Sequence, residues 1–560
     1  MRTSTTMLKC YLKPHLTPST STSFQMSAIA SIYGLIPARP PTSPIQIAVI
    51  SLGGGLFGTL SSPGADGASV LTDGDVQTFW SGQGISSDQQ PTVRVVLVDG
   101  AVNRPSSDLN ASIENTIDVE TIGTICHGSN VTITMFLGRN SFTGFLNVFR
   151  AAIASSPTVI SCSWGAPENV FSSGALAQFD TLFQTAASAG INICCASGDN
   201  GSSDGLPGTN VDFPAASPNV VSCGGTRLVC NELVYDGTTV ETAWSSGGGG
   251  LSKVFVSPPY QALIPAAPGF RASPDVALNA DPQTGVNYRV NATNYVVGGT
   301  SIVSPAVAAF IANAGINYFF NPRLYACPLL TSSVPASPCF NDIVSGTNGA
   351  YTASAGFDLC TGWGSLSGAR LLSVLSTWVS VSSITLTAPV MTSVQVGRTL
   401  TVSATALPSN ASCKTLLWRS SNTRLASVSS TGVVTGVAVG TVSISATSFE
   451  NSSIVFNVSL SVVGVPIPPP HPPPPGVAVT SVNILPPLSR SLRVGGRTIC
   501  SAYVRPANAT NKHLTWTSSN NLVASVTASG VVTAVRRGNC TITASSFRET
   551  SSARVSISVK

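Results

Sequence analysis

Short apolar runs alternate with amphipathic segments along the first part of the chain. The apolar runs have the length of buried strands and cover residues 47–52, 93–98, 131–137, 158–162, 191–196 and 220–223. Segments with apolar positions at helical spacing cover residues 143–154, 174–189 and 301–314. Continuous apolar strands separated by helices are typical of a mostly parallel sheet flanked by helices on both faces, so this pattern predicts an α/β domain.

The pattern changes in the C-terminal part of the chain, where short alternating strands and turns replace it. The sequence Trp-x-Ser-Ser-Asn begins at Trp418 and recurs at Trp516, an offset of 98 residues, and a Gly-Val-Val sequence recurs at the same offset. Residues 383–462 and 478–560 are therefore a tandem repeat, and we expect two all-β sandwiches. The proline run at residues 463–476 predicts a stiff polyproline II linker between them.

Composition excludes several classes of function. Only 9% of the 560 residues are charged, and the net charge of +5 is scattered without a basic run, so nothing indicates nucleic-acid binding. No apolar stretch is long enough to span a membrane, and the N-terminal residues lack the apolar core of a signal peptide. The 13 cysteines show no metal-site spacing. Those in or beside predicted strands should be small buried core residues: Cys162, Cys194, Cys195 and Cys223.

Ser301 stands in a sequence that suits a nucleophile. It follows Gly-Gly-Thr at the predicted start of a helix, and Pro305 comes four residues later. A serine hydroxyl needs a base, which is usually histidine. The chain has four histidines, and none has a suitable sequence context: His15, His127, His471 and His513. If Ser301 is catalytic, its base is therefore a carboxylate, and His127 is predicted to be structural.

Three carboxylates are candidates for the base and for a second role. Glu114 and Asp118 are four residues apart, so on a helix they share one face. Two like charges at this spacing repel each other unless they share a proton or a function requires them. Glu120 is predicted to be solvated. Asp199 follows the apolar run 191–196 in a Gly-rich loop, so we expect it at the carboxyl edge of the parallel sheet.

These residues belong to a series of short motifs that resembles the sedolisins, or serine-carboxyl peptidases. The motifs include Leu-Gly-Gly-Gly, Ser-Trp-Gly-Ala-Pro-Glu and Gly-Gly-Thr-Ser, and in chain order they lie at residues 52–55, 114–118, 163–168, 197–205, 211–218, 223–226, 274–277, 298–301, 341–343 and 356–364. The ordered series makes the resemblance specific. It implies an α/β subtilisin-like catalytic domain with a mostly parallel sheet at residues 25–378, after a flexible N-terminal tail at residues 1–24.

The resemblance implies a role for each candidate. Ser301 would attack the scissile carbonyl, Glu114 would take its proton, and Asp118 would orient Glu114. Asp199 would donate a hydrogen bond to the oxyanion, which requires a protonated carboxyl group. Such a site works in acid. A solvated helix face, a turn or a helix N-cap would each explain one of these residues, but not all four in order inside a matching framework.

The resemblance also implies a substrate cleft. Ser163, Trp164 and Gly165 would line the cleft and pair with an extended peptide, which is a form of strand addition. Asp212 would lie near the first specificity pocket. The alternative for Trp164 is an ordinary core aromatic.

One structural Ca²⁺ ion is the implied cofactor. Asp342 and Asp358 would supply carboxylates, and Ile343, Ser354 and Gly356 would supply backbone carbonyls, because calcium takes about six to eight oxygen ligands. Ser354 stands where the family often has glycine, a change that carbonyl ligation tolerates if the backbone angles allow it.

The two C-terminal repeats resemble group 2 bacterial Ig-like domains. These domains, together with the glycosylation sequon that begins at Asn130, favour an extracellular or surface location. The expected partners are protein or peptide substrates and, through the Ig-like domains, surface glycans or proteins. Sedolisins are made with a long N-terminal prosegment, and because Met1 lies close to the start of the matching region we expect that none is encoded here.

Three functions remain open on the sequence. The leading one is an acid-acting serine-carboxyl endopeptidase that forms an acyl-enzyme, with Ig-like domains for attachment or spacing. The second is a tripeptidyl-peptidase of the same family. The third is an inactive surface-binding protein on a peptidase scaffold, which the intact set of Glu114, Asp118, Asp199 and Ser301 disfavours.

Alignment of the two repeats leads to one further expectation. Cys500 stands opposite Val402, and Cys540 stands opposite Val442. Both valines alternate with polar neighbours, so both cysteines should point into the sandwich core beside Trp516. We expect the two thiols to lie close enough to form a disulfide; the alternative is two buried thiols that never meet.

Overall fold

The computed structural model describes residues 9–10, 13–15, 23–36, 43–128, 130–330, 339–387, 392–464, 476–487, 489–549 and 551–560. The chain forms two compact units, Met1–Val465 and Pro466–Lys560. The predicted polyproline linker at residues 463–476 lies almost entirely outside the described residues.

The first unit is built on a sheet that has 12 strands in the described chain. In the spatial order given below, every adjacent pair between Ser365–Leu366 and Thr92–Leu97 is parallel. Antiparallel pairs occur at the two edges of the sheet and where Val240–Ala243 joins Val221–Val229. The spatial order is Phe340–Asn341, Ser365–Leu366, Val276–Asn279, Val221–Val229, Asn192–Ala196, Val159–Cys162, Ile45–Leu52, Val131–Gly138, Thr92–Leu97, Ala68–Gly74 and Gly58–Leu60. The predicted parallel α/β sheet is confirmed, since each predicted apolar run supplies one of these strands.

Helices cover both faces of this sheet. Successive side chains of a strand point to opposite faces, so Ile47 and Val49 join one core while Ala48 and Ile50 join the other. Helices Phe142–Ala154 and Ser173–Ser188 cover the second core. The first core is covered by the helices Met26–Ile32, Asp75–Gly82, Leu109–Ile125, Thr300–Asn313, Asn321–Ala326 and Gly368–Ser376. The three predicted helices are therefore present, each within one residue of its predicted bounds.

Short antiparallel pairs lie beside the main sheet. Gly250–Val256 pairs with Phe270–Ser273, and Val286–Val290 pairs with Thr293–Gly298. Trp164–Pro167 pairs with Asp212–Phe213. Of these strands, Trp164–Pro167 directly follows the carboxyl end of the parallel strand Val159–Cys162, where loops of an open α/β sheet build a site.

Parts of the N-terminal segment also pair with the domain. Lys9–Cys10 lies antiparallel to Trp164–Pro167, and Lys13–His15 lies antiparallel to Thr293–Gly298. The prediction of a flexible tail is therefore wrong for these residues. Their order comes from backbone pairing to existing strand edges, which needs no apolar pattern in the segment itself. The predicted tail also includes residues 1–8, 11–12 and 16–22, which lie outside the described chain.

The first Ig-like domain is a set of short sheets around one small core. Its strands are Ser383–Leu386, Ser393–Gln395, Thr399–Thr401, Ala404–Leu407, Leu416–Ser420, Ala426–Val428, Val433–Gly436, Gly440–Ser448 and Val455–Val463. Trp418 packs against this core, which contains Val402, Val434, Val442 and Ile444. Alternate residues of Gly440–Ser448 are buried, as the sequence pattern predicts for a sandwich strand.

The second unit repeats this arrangement. Its strands are Ser481–Leu485, Ser491–Leu492, Arg497–Ile499, Ser501–Arg505, Leu514–Ser518, Ala524–Val526, Val531–Ala534, Gly538–Ser546 and Ser552–Val559, and they pair in the same order as those of the first domain. The tandem repeat of β-sandwiches is therefore confirmed.

Cys500 and Cys540 lie in the core of the second Ig-like domain, as the repeat alignment predicts. Both are buried in the same apolar cluster, against which Trp516 packs. Both are nevertheless free thiols, and the predicted disulfide is wrong. Alignment places both residues in one core, but a shared core does not bring two sulfur atoms to bonding distance.

Candidate active site

The serine helix, Thr300–Asn313, carries Ser301 in its first turn. Gly299 precedes the helix with a φ of 130°, a value that a residue with a Cβ rarely adopts, so a glycine is needed there. Pro305 lacks the N–H that would bond to the carbonyl of Ser301 within the helix. The Ser163 hydroxyl lies 3.3 Å from that carbonyl oxygen and can donate to it. Proline thus leaves the Ser301 carbonyl as an acceptor for Ser163, which lies between the strands Val159–Cys162 and Trp164–Pro167.

The acid helix, Leu109–Ile125, carries Glu114 and Asp118. Asp108 caps its N-terminus by accepting a hydrogen bond from the Ala111 N–H at 3.1 Å. From Ala111 to Ile125 every residue is buried, because this helix packs between the sheet, the serine helix and the strand Val286–Val290. Both carboxyl groups are fully removed from solvent. The predicted helix and the shared face are confirmed.

Glu114, Asp118 and Ser163 form a compact polar group at Ser301. Ser163 Oγ donates to Asp118 Oδ1 at 2.7 Å. The Glu114 carboxyl group lies close to the hydroxyls of Ser301 and Ser163, although neither of its oxygens completes a hydrogen bond to the described residues.

Both carboxyl groups of this pair favour the protonated form. Burial raises the pKa of Glu114 well above its usual value, and the nearby carboxylates of Asp118 and Asp199 raise it further. Burial likewise raises the pKa of Asp118 well above its usual value, against the opposing hydrogen bond from Ser163. The pair therefore holds a proton at pH values where exposed carboxyl groups are ionised.

Asp199 lies beside the first turn of the serine helix. It follows the strand Asn192–Ala196, as predicted for a loop at the carboxyl edge of the sheet. Its Oδ1 accepts hydrogen bonds from the Thr300 N–H at 2.8 Å and from the Thr300 hydroxyl at 2.9 Å. The residue is 2% exposed. Thr300, which the sequence interpretation overlooked, fixes this carboxyl group next to Ser301.

The cleft strand, Trp164–Pro167, runs past the serine helix. Asp212–Phe213 pairs with one of its edges, and a Cβ on Gly165 would stand only 2.1 Å from Asp212 Oδ1, so only glycine fits at this position. Lys9–Cys10 pairs with the same strand, with Lys9 opposite Gly165 and Cys10 opposite Trp164. The predicted substrate residues Ser163, Trp164, Gly165 and Asp212 are thus brought together, and all are buried.

The structure contradicts the prediction that Glu120 is solvated, and it places His127 away from the candidate catalytic residues. Glu120 is not solvated: it is fully buried on the acid helix and accepts a hydrogen bond from the Arg289 N–H at 3.1 Å. Burial raises its pKa well above the usual value. His127 lies just beyond the C-terminus of the acid helix, with Nδ1 3.1 Å from the Thr124 carbonyl oxygen, and lines a surface cavity of about 270 Å³ that includes none of the candidate catalytic residues.

The predicted calcium residues meet at one loop. Asp342 accepts hydrogen bonds from the Gly356 N–H at 3.0 and 3.2 Å, and Asp358 accepts from the Ser354 N–H at 3.1 Å. Burial raises the pKa of both carboxyl groups. The described chain contains no group of three or more His, Cys, Asp or Glu side chains that could hold a metal. The two carboxylates fit an oxygen-ligated cation only if backbone carbonyls complete the shell.

The buried acids predict an unusual dependence of stability on pH. Glu114, Asp118 and Glu120 have raised pKa values in the folded protein, so the folded state binds protons more tightly than the unfolded state. Their contribution is fully present below the usual carboxyl pKa and is lost as pH rises through the raised values. We expect the melting temperature of the Ser301→Ala protein to be highest in acid and to fall toward neutral pH.

Thermal unfolding followed by circular dichroism over a pH series measures this dependence. The matched control is the same protein with Glu114→Gln and Asp118→Asn, which keeps the shape of both side chains but removes their ionisation. Its melting temperature should change less between acid and neutral pH. An equal pH dependence in the two proteins would contradict the assignment of raised pKa values to this pair.

Comparisons with known proteins show what the chain is similar to. Residues 105–318 match the subtilase family, and residues 380–455 and 478–557 each match the bacterial Ig-like domain (group 2). Kumamolisin from Bacillus sp. (strain MN-32) is 35% identical over an alignment of 359 residues that covers 59% of this chain and 59% of kumamolisin. Tripeptidyl-peptidase 1 from Mus musculus is 30% identical over an alignment of 304 residues that covers 47% of this chain and 52% of that enzyme.

A solved structure shares the fold of the first domain. It is the Pseudomonas sedolisin, a serine-carboxyl proteinase, complexed with two molecules of pseudo-iodotyrostatin. The alignment has a TM-score of 0.55 and 25% identity, and it covers 64% of this chain and 99% of that chain. The chain spans only 59% of the length of kumamolisin and 52% of the length of tripeptidyl-peptidase 1.

Proposed function

We propose that this protein is an acid-acting serine-carboxyl endopeptidase. The premise is a domain that matches the subtilase family and has kumamolisin and sedolisin as homologues, followed by two domains that match the bacterial Ig-like domain. One observation carries the proposal: the buried carboxyl pair of Glu114 and Asp118 faces the Ser301 hydroxyl. The position of His127, outside this group, supports a carboxylate base.

In this proposal Ser301 is the nucleophile and Glu114 is the base. The Ser301 oxygen bonds to the scissile carbonyl carbon while its proton moves to Glu114. Glu114 then gives that proton to the amine as the C–N bond breaks, which leaves an acyl-enzyme. Water attacks the ester in the same way, again with Glu114 as base, and releases the acid product and the Ser301 hydroxyl. Asp118 orients Glu114 and holds the second proton of the pair, with Ser163 as its hydrogen-bond donor.

Asp199 is the proposed oxyanion donor. Thr300 donates twice to its Oδ1, so the proton given to the oxyanion is carried on Oδ2. A neutral carboxyl group is required for this role, because an ionised carboxylate can only accept hydrogen bonds. Acid pH supplies that proton, and it also keeps one proton on the Glu114–Asp118 pair.

The course of the N-terminal segment favours cleavage inside polypeptide chains. Lys9–Cys10 lies on the cleft strand, and Lys13–His15 lies on Thr293–Gly298, whose last residue precedes Ser301 by three positions. Backbone pairing on these two strands supports a cleft that accepts an extended chain, whereas release of tripeptides needs a cleft that is closed upstream of the scissile bond. The similarity to tripeptidyl-peptidase 1 keeps the alternative mode as the second candidate.

Two matched peptides test the mode of cleavage. One is an internally quenched peptide with an acetylated N-terminus, and the other has the same sequence with a free amine. We expect both to be cleaved at internal bonds with similar kcat/KM at acid pH, and neither to be cleaved by the Ser301→Ala protein. Release of tripeptides from the free peptide alone would establish the tripeptidyl-peptidase mode. A variant without residues 1–22 is assayed in parallel, because no residue of that segment then competes with the peptide.

One structural calcium ion is part of the proposal. Asp342 and Asp358 would hold it with the backbone carbonyls of Ile343, Ser354 and Gly356. It would neutralise two desolvated carboxylates and tie the loop at residues 354–358 to the edge of the sheet. The ion would have no part in the chemical steps.

Chelation should therefore lower the melting temperature of the Ser301→Ala protein. A bound ion at about 100 times its Kd stabilises a protein by about 3 kcal/mol. In the Asp342→Asn variant, which loses a carboxylate charge but not its shape, added chelator should have little effect. If chelator leaves the melting temperature of the parent protein unchanged, the site holds no calcium.

The location and the role of the Ig-like domains are also proposed. The group 2 bacterial Ig-like match supports an extracellular or surface protein in which these domains attach or space the peptidase. In the described chain, no helix is long and apolar enough to cross a membrane. An inactive surface-binding protein would keep the fold but show no cleavage of either test peptide.

A further inference from the structure

The first Ig-like domain begins directly where the peptidase domain ends. Trp378 follows the last helix of the peptidase domain, Gly368–Ser376, and its backbone N–H donates to the Leu375 carbonyl at 3.2 Å. The next residue, Val379, is already bonded to Ser412 of the Ig-like domain. The Ser412 N–H donates to the Val379 carbonyl at 2.8 Å, and the Val379 N–H donates to the Ser412 hydroxyl at 2.9 Å. The two domains therefore follow one another without a spacer.

Polar contacts join the two domains at this junction. Trp378 Nε1 donates to Glu450 Oε2 at 2.7 Å, and the Val381 N–H donates to the same carboxyl group. The Arg323 guanidinium of the peptidase domain donates to the Ser380 hydroxyl at 2.7 Å. It also lies 5.6 Å from the centroid of the Trp378 ring, within the range of a cation–π contact. Several directional contacts therefore fix the first Ig-like domain against the peptidase domain.

Apolar side chains of the first Ig-like domain extend the core of the peptidase domain. Cys413 and Phe449 are 2% and 3% exposed, and both belong to the first core of the peptidase sheet and not to the core of their own sandwich. Leu417 packs against the same peptidase core. Removal of apolar surface from water is the main favourable contribution to an association of this kind. The junction thus has an apolar centre as well as polar contacts.

The second Ig-like domain provides an internal comparison, because its residues follow at an offset of 98. Phe449 is 3% exposed, whereas its counterpart Phe547 is 53% exposed. The other junction residues are replaced by residues that cannot make the same contacts: Ala478 for Ser380, Asn511 for Cys413, Thr515 for Leu417 and Arg548 for Glu450. The apolar and polar junction residues are thus features of the first repeat alone.

Contacts that belong to the Ig-like fold itself do recur in the second repeat. The Val477 N–H donates to the Thr510 hydroxyl at 2.7 Å, and the Thr510 N–H donates to the Val477 carbonyl at 2.9 Å. These bonds are the counterparts of those between Val379 and Ser412. Val477, however, follows the proline run at residues 463–476, whereas Val379 follows a helix of the peptidase domain. The two repeats share a fold, and only the first is built for a junction with the peptidase domain.

We propose that the first Ig-like domain is a fixed support of the peptidase domain, and that the two fold and unfold as one cooperative unit. Through Trp378 and Arg323 it holds the ends of two peptidase segments, the helices Asn321–Ala326 and Gly368–Ser376. Both helices cover the same core as the acid helix and the serine helix. Attachment to an outside partner then belongs to the second Ig-like domain, which lacks the junction residues.

Two matched variants of the full-length Ser301→Ala protein, Phe449→Ala and Phe547→Ala, test this proposal, which does not depend on the proposed peptidase activity. Hydrogen exchange followed by mass spectrometry reports on the peptide that covers residues 368–378. In Phe449→Ala this peptide should exchange about tenfold faster, because loss of a buried aromatic side chain opens the junction. The melting temperature should also fall by about 5 °C. In Phe547→Ala both quantities should be unchanged.

A second matched pair, Glu450→Ala and Arg548→Ala, keeps the apolar centre of the junction. Glu450→Ala leaves Trp378 Nε1 and the Val381 N–H without their acceptor, so exchange at residues 368–378 should again become faster. Arg548→Ala should have no effect there. The proposal is wrong if faster exchange in Phe449→Ala and Glu450→Ala is confined to strands of the first Ig-like domain. Separate calorimetric transitions of the peptidase domain and the first Ig-like domain in the Ser301→Ala protein would also overturn it.

Discussion

Replacement of Ser301 by alanine should lower kcat for peptide cleavage at acid pH by about 10⁶-fold, the loss that removal of a catalytic serine typically produces. We expect no other hydroxyl to replace it, because the Ser163 hydroxyl, which also lies near Glu114, already donates to Asp118. Glu114→Gln should cause a loss of similar size, since an amide of the same shape cannot accept the Ser301 proton. Single-turnover assays with an internally quenched peptide measure both effects.

The matched control for these variants is His127→Ala. His127 lies beyond the end of the acid helix and bonds to the Thr124 carbonyl, so its loss should leave kcat within a few-fold of the parent value. Circular dichroism spectra must show that all three variants are folded. A folded but inactive His127→Ala protein, together with an active Glu114→Gln protein, would show that the base is a histidine.

Asp199→Ala should lower kcat by about 10²–10³-fold, the usual cost of one oxyanion donor, while KM changes little. The reason is that Asp199 would act on the developing negative charge and not on the bound peptide. The conservative Asp199→Asn variant should retain more activity than the alanine variant, because an amide can donate a hydrogen bond while its oxygen still accepts from Thr300. Steady-state assays at several pH values separate the two variants.

The pH dependence of the asparagine variant gives this prediction a second test. An amide donates at every pH, so any loss of activity in the parent that comes from ionisation of Asp199 should be absent from Asp199→Asn. If Asp199→Ala and Asp199→Asn both keep full activity, Asp199 has no role at the oxyanion. If both lose activity equally at every pH, its role is to hold Thr300 and the start of the serine helix.

The sheet and its helices could be predicted because their signal is local. A parallel strand that is buried on both faces is mostly apolar, and the strands Val159–Cys162 and Asn192–Ala196 each contain one polar residue, Ser161 and Asn192. The start of the serine helix is marked by glycine before Ser301. The spacing of Glu114 and Asp118 places them on one face of a helix wherever that helix packs. These features need only neighbouring residues.

Other features depend on distant residues and carry no local signal. No neighbouring residue indicates that Glu120 is buried. The acid helix is nevertheless covered on all sides, and the N–H of Arg289, far away in sequence, donates a hydrogen bond to the Glu120 carboxyl group. The strands Lys9–Cys10 and Lys13–His15 form by addition to existing edges. The bond between Cys500 and Cys540 is predicted from alignment, which identifies a shared core but not the distance between two sulfur atoms. One missed feature did have a signal: a proline four residues after Ser301 indicates a helix carbonyl that needs another donor.

The pH dependence of kcat/KM, measured on an internally quenched peptide from acid to neutral pH for the parent protein and for His127→Ala, tests the central claim most directly. The carboxylate mechanism predicts an acid maximum, a fall toward neutrality and the same profile for both proteins, since the raised pKa values of Glu114 and Asp118 set it. A maximum at neutral or alkaline pH that disappears in His127→Ala would contradict the claim.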